Sequence, residues 1–232
     1  MSFIKNHYQV IKNIIPKDVV NFVSNYFSLK RKVFDTFLDY TYVSKFNIDW
    51  GSYGDLQVPN TYSHYADIAM ETLLTQVQPI MEKESGVKLN PTYSYARIYK
   101  KGDILKRHKD RFSCEISTTL NLGGDKWPIY IDPDSKNGHY DEKTKKYVPG
   151  KSAGIKIDLE PGDMLMYRGC ILEHWRDIFL GNSCTQVFLH YNDAENKINY
   201  EQTSTDKNIY DTRPHLGLPQ WFRNKNDKNK HL

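Results

Sequence analysis

Thr92-Tyr93-Ser94-Tyr95-Ala96-Arg97-Ile98-Tyr99 reads as a β-strand, because β-branched and aromatic side chains alternate along it with a period of two. Ile116-Ser117-Thr118-Thr119-Leu120-Asn121-Leu122 has the same character. Shorter runs follow: Ile129-Tyr130-Ile131, Gly154 to Leu159, Met164-Leu165-Met166-Tyr167, and Thr185 to Tyr191. Turn chemistry separates them at Lys101-Gly102-Asp103, Gly123-Gly124 and Glu160-Pro161-Gly162-Asp163. Many short strands divided by Gly and Pro predict a β-sandwich or barrel.

Upstream the period lengthens. Pro16-Lys17-Asp18 precedes Val19, Val20, Phe22, Val23, Tyr26 and Phe27, which predicts an amphipathic helix over 16–28. A second helix is predicted from Ala66 to Glu84, with Ile68, Ala69, Leu73, Leu74, Val77, Ile80 and Met81 on one stripe and a stop before Gly86. Both helices should pack on the sheet, giving an α+β, mainly β fold. The expected organisation is one domain: a helical region over 1–87, a β core over 88–192, and an extension over 193–232 with a basic tail. Residues 132–152, polar and rich in Lys, Asp and Gly, read as a surface insertion inside a hairpin.

With 232 residues the chain buries a full core, and 39% hydrophobic against 26% charged residues excludes wholesale disorder. The net charge of +4 comes from Lys and Arg interspersed with acids, except around Arg223–His231, so the argument for a nucleic-acid partner is weak. Neither a signal peptide nor a run long enough to span a bilayer is visible, so a cytoplasmic location without a membrane partner is expected. Cys114, Cys170 and Cys184 have no CxxC spacing and read as small buried thiols.

Chemistry enters at Leu105-Lys106-Arg107-His108-Lys109-Asp110. Residues two apart in an extended segment project the same way, so His108 and Asp110 present an imidazole and a carboxylate to a common point. A second imidazole would complete a facial triad, a donor set that suits Fe(II) and leaves half the octahedron open. The Pro161-Gly162 turn leads through an apolar strand and Arg168-Gly169 to His174-Trp175-Arg176, which supplies it. His-x-Asp alone also arises by chance on surface loops in a chain with 8 histidines.

Taken together, Tyr99-Lys100-Lys101-Gly102, His108-Lys109-Asp110, Leu120-Asn121, and Pro161-Gly162-Asp163 before His174 resemble the prolyl 4-hydroxylase-like branch of the 2-oxoglutarate/Fe(II) oxygenases over about residues 88–192. That resemblance implies a double-stranded β-helix (jelly-roll, cupin-like) preceded by packing helices, with His108, Asp110 and His174 as the catalytic iron ligands. It further implies Fe(II), 2-oxoglutarate and dioxygen, with ascorbate admitted as an accessory reductant. The implied reaction hydroxylates a C–H bond of a prolyl, peptidyl or amino-acid-like substrate and releases succinate and carbon dioxide.

The distal carboxylate of 2-oxoglutarate needs a buried cation. The family supplies one nine to eleven residues after the distal histidine, where this chain has Ser183, Cys184 and Thr185. Arg176 is the favoured substitute, since it shares an inward face with His174; Arg97 is second. Tyr99 and Thr119 match cosubstrate-lining positions of the family, and on the last strand Gln186 and His190 fall on one face with Cys184 and Phe188. The bland readings are a surface pair of Arg176 with Asp177, an edge ion pair for Arg97 and a satisfied core histidine at 190. Trp175 should point the other way and pack. Segments 45–65 and 132–152, with Trp50, Tyr53, Tyr62, Tyr65, His139 and Tyr140, are candidate rim loops for a peptide, protein or small-molecule substrate. Two other classes stay open. One is a cupin-like metal-binding protein without turnover, because the anchor is displaced; the other is a nucleic-acid-modifying oxygenase, because of the basic tail.

Overall fold

Pro16, with φ −59°, starts the first long helix of the computed structural model, which describes residues 3–144, 146–195, 213–219 and 222. In chain order the elements are α1 (Phe3–Asn6), β1 (Tyr8–Ile11), α2 (Lys17–Asp39), β2 (Tyr62–Tyr65), α3 (Ile68–Ser85), β3 (Leu89–Lys100), β4 (Leu105–His108), β5 (Ile116–Gly124), β6 (Ile129–Ile131), β7 (His139–Tyr140), β8 (Tyr147–Val148), β9 (Ile155–Ile157), β10 (Met164–Tyr167), β11 (His174–Arg176) and β12 (Ser183–Asp193). The basic stretch around Arg223–His231 lies outside the described residues.

Two antiparallel sheets carry the molecule. The larger has the order β1-β10-β5-β12-β3-β2 and the smaller β4-β11-β6-β9. Ile129, Ile131, Ile157, Leu165, Tyr167 and Leu172 fill the space between them. The opposite face of the larger sheet is covered by α2 and α3, where Val20, Val23, Phe27 and Phe34 of α2 and Leu73, Leu74, Val77 and Met81 of α3 meet Ala96, Leu120, Val187 and Leu189. Burying such side chains contributes roughly 1.5–3 kcal/mol apiece, which is what holds the helices on the sheet. No described helix is long and apolar enough to cross a membrane.

Several sequence expectations need correction here. The first helix continues past 28 to Asp39; Lys30-Arg31-Lys32 interrupts its apolar stripe, but the Lys30 stem is buried and its ammonium reaches Asp67 at 2.5 Å. The strand expected over Gly154–Leu159 is only Ile155–Ile157, because Gly154 sits at φ 68° in a turn. The two edge strands β1 and β2 carried too little periodicity to be read, each being four residues long. Of the three thiols, Cys114 and Cys184 are buried but Cys170 is half-exposed. Residues 132–154 run between the paired strands β6 and β9 and carry the small hairpin β7–β8.

Candidate metal centre

Strands β4 and β11 lie side by side with His108 and His174 directly opposed in register. Their rings come to 4.2 Å between centroids. Each imidazole is tied by its own backbone: His108 Nδ1 lies 2.7 Å from the Lys106 carbonyl and His174 Nδ1 3.0 Å from that of Leu172. A carbonyl only accepts, so both Nδ1 atoms carry the proton and both Nε2 lone pairs face inward. Both Nε2 atoms stand 3.5 Å from Asp110 Oδ1. Donor atoms of the three residues all lie within 4.8 Å of one another, so the structure brings the sequence-predicted triad together.

Asp110 is held from behind. Its amide donates to the Gly169 carbonyl at 2.9 Å, and its Oδ2 accepts the Ser117 hydroxyl at 2.8 Å. A side chain at Gly169 would overlap Asp110 Oδ2 and crowd the Cys114 carbonyl and Ser117 Oγ, so only glycine allows this approach. Burial would raise the Asp110 carboxyl, but the two histidines outweigh it and hold the group well below the usual carboxylate range. The same pairing pulls His108 up against the downward push of burial. Such a carboxylate is ionised at any physiological pH.

The other predicted residues fall into two groups. Arg176 is fully buried: one guanidinium nitrogen donates to the Trp127 carbonyl, another to Thr119 Oγ1 at 3.3 Å, and Nε has no partner. Among the described residues it pairs with no carboxylate, which corrects the surface pairing with Asp177 as its alternative, and burial lowers its pKa from the ordinary value. Thr119 in turn donates to Gln186 Oε1 at 2.9 Å, so Arg176, Thr119 and Gln186 form one chain. Arg97, equally buried, already has its anion: it ion-pairs with Asp55 and donates to Tyr99 OH at 3.1 Å. Sitting on the central strand β3 rather than an edge, Arg97 is not the edge pair that was the alternative.

A cavity of about 550 Å³ opens on the triad. His190 and Phe188 line it, whereas Cys184, Gln186, Thr119, Tyr99 and Arg176 are not part of its lining. Tyr167 belongs to the lining, stands 4.7 Å from the His174 ring, and feels the charges of both Asp110 and Arg176. Because the Ser117 hydroxyl gives its proton to Asp110, His190 Nδ1–H donates to Ser117 Oγ at 3.0 Å, and burial pushes the His190 pKa down to about 4, so it is neutral. Trp175 faces away and packs between Tyr130 and the Arg107 guanidinium.

Of the rim candidates only Tyr65 lines this cavity. Tyr53 and Tyr62 pack against Phe34 and Trp50 against Phe37, all on α2, while His139 and Tyr140 are exposed on the β7–β8 hairpin. The 45–65 segment instead contributes Asp55 and Gln57, the latter with its amide 3.1 Å from His108 Nε2. Neither residue had a sequence signal, since a loop carries no periodicity.

Two facing antiparallel sheets with this cluster at one end have the fold of the 2-oxoglutarate-dependent non-haem iron enzymes. A prolyl-4-hydroxylase from Pseudomonas putida matches 82% of the chain and 95% of its own length at 13% identity, with TM-score 0.53. The epimerase SnoN from nogalamycin biosynthesis, in complex with Fe3+ and alpha ketoglutarate, matches 83% of the chain and 81% of its own at 11% identity and TM-score 0.57. HygX from Streptomyces hygroscopicus, with nickel, 2-oxoglutarate and hygromycin B bound, matches 83% and 85% at 13% identity and TM-score 0.55. No protein-family model and no curated protein matches the sequence.

Proposed function

We propose that the chain is an Fe(II)- and 2-oxoglutarate-dependent dioxygenase whose eight inner strands, β3, β4, β5, β6, β9, β10, β11 and β12, form a double-stranded β-helix. The observation that carries the reading is the convergence of His108 Nε2, Asp110 Oδ1 and His174 Nε2 from two neighbouring strands and the loop between β4 and β5. Two neutral nitrogens and one carboxylate on one side of a divalent cation are the donor set that non-haem iron favours. Tethering of both Nδ1 protons by backbone carbonyls is the outer support expected of metal-bound histidine.

The cosubstrate fit rests on Arg176. A buried guanidinium without a carboxylate, one nitrogen unpartnered, is costly unless an anion completes it. The distal carboxylate of 2-oxoglutarate is such an anion, and Thr119 is placed to donate its hydroxyl to it once released from Gln186. Tyr167 feels the charge of both Asp110 and the Arg176 guanidinium, and Tyr99 acts on the same guanidinium. The group supplies, when bound, oxidative decarboxylation of 2-oxoglutarate to succinate and carbon dioxide coupled to hydroxylation of a substrate C–H bond. The chain's own part is to fix the ligand nitrogens, keep Asp110 ionised and exclude water behind the cavity wall. A prolyl, peptidyl or amino-acid-like substrate is the reading favoured by likeness to the P. putida enzyme. Aerobic succinate release from 2-oxoglutarate that requires Fe(II) and is abolished by His174→Ala is the expected result; full metal occupancy without succinate would favour a metal-binding protein lacking turnover.

A further inference from the structure

The cavity beside the triad has two chemically different sides. Tyr65 on β2, Tyr93 on β3 and His190 on β12 stand in a row across neighbouring strands, with centroids 4.6 Å apart at both steps. All three line the cavity, with Tyr95 beside them. Tyr65 and Tyr93 stack on one another at 21° and Tyr93 is flanked by His190 on its other side, so the row turns ring edges to the cavity, which suits edge-to-face packing with a planar group. The Arg111 guanidinium lies 5.2 Å from the centre of the Tyr93 ring, and Lys109 lines the same cavity from the other side of Asp110 in sequence.

The charge balance of this lining is uneven. Apart from Asp110, its one acid is Asp55, and that carboxylate is fully engaged by Arg97, by the Tyr95 hydroxyl and by the Gln57 amide at 2.7 Å. Arg111 and Lys109 have no carboxylate at ion-pair distance among the described residues: Arg111 hydrogen-bonds the Tyr93 side chain, and Lys109 reaches the Ser135 carbonyl at 2.8 Å with Glu173, Asp132 and Asp134 near enough to act on its charge. A ligand entering the cavity therefore meets two cations without a carboxylate partner, and no acid in the lining beyond Asp110 and the engaged Asp55.

Resting on the oxygenase reading above, we infer that the substrate is a small carboxylic acid bearing a ring or planar group, its carboxylate held by Arg111 with Lys109 adding charge to the same cavity, and its ring packed against the edges of Tyr65 and Tyr93. A residue within a peptide has no carboxylate to offer there. A zwitterionic amino acid finds no free acid for its ammonium. The geometry thus selects an acid of net negative charge over an internal peptide residue, and makes Arg111 a specificity-determining residue.

Matched probes differing only in charge test this: N-acetyl-L-proline against N-acetyl-L-prolinamide, and benzoate against benzamide. Their affinities are measured by calorimetry on the full chain loaded with redox-silent Zn(II) and 2-oxoglutarate. In at least one pair the acid should bind about tenfold more tightly than the amide, the scale of one charge-assisted bidentate contact. Arg111→Gln should remove most of that preference, and Lys109→Gln part of it, while Zn(II) and 2-oxoglutarate affinities stay as in the parent. Equal binding of acid and amide, no binding of either acid, or an Arg111→Gln variant that loses 2-oxoglutarate instead would overturn the inference. Failure of the parent chain to bind Zn(II) or 2-oxoglutarate would strike the oxygenase reading itself, so the two failures are told apart.

Discussion

Arg176 and Arg97 illustrate how much a partner decides. Both are buried arginines, one on β3 of the larger sheet and one on β11 of the smaller, yet Asp55 neutralises the first and nothing among the described residues neutralises the second. A buried cation without an anion favours binding of one, so Arg176→Ala should raise the 2-oxoglutarate concentration needed for half-maximal turnover by about a hundredfold, as expected for a buried charged contact worth roughly 2–5 kcal/mol. Tyr99→Phe should raise it far less, because its hydroxyl is already occupied by Arg97. An unchanged requirement in Arg176→Ala would move the anchor to Arg97. Gly169→Ala drives a methyl into Asp110 Oδ2 and should weaken Zn(II) binding by at least about tenfold, read by competition with a chromophoric chelator. His190 gives a pH signature. Its folded pKa near 4 lies below the 6.5 of a free imidazole, so the unfolded chain takes up a proton first as pH falls. Stability of the metal-free protein should therefore drop between about pH 6.5 and pH 4, by at most about 3 kcal/mol, and His190→Gln should flatten that slope in urea titrations.

Among the elements, α3 shows why some boundaries are legible. Gly86 at φ 75° ends it where the sequence reading stopped, while its start, read at Ala66, falls at Ile68 because Asp67 caps it by accepting from the Ala69 and Met70 amides. The same carboxylate also receives the Tyr26 hydroxyl at 2.8 Å and the Lys30 ammonium, tying α2 to α3. Asp67→Ala loses a cap and leaves a buried cation unpaired, so urea unfolding should show a loss of about 3 kcal/mol or more. Strands β3, β5, β10 and β12 were legible from alternation, and the His108/Asp110 pair from the two-residue spacing. The opposition of His108 and His174 was not, since register between β4 and β11 is a tertiary fact. Nor was the arrival of Asp55 and Gln57, because the 45–65 segment has no period; of its predicted rim aromatics Tyr65 reaches the cavity while Trp50, Tyr53 and Tyr62 pack on α2.

At the scale of the whole molecule, helices press one face of the larger sheet and leave its other face to build, with the smaller sheet, an apolar slot ending at the triad. In the proposed reading the cationic anchor, Arg176 on β11, enters from the smaller sheet, whereas the family pattern places a cation on the strand that here carries Cys184. The central claim is that these two imidazoles and Asp110 hold Fe(II) with room for a chelating 2-oxoacid. Anaerobic titration of the full chain with Fe(II) and 2-oxoglutarate, followed by visible absorption, tests it directly. The account predicts a charge-transfer band that saturates at one iron per chain and is absent from His174→Ala; no band in the parent, or an undiminished band in the variant, would contradict it.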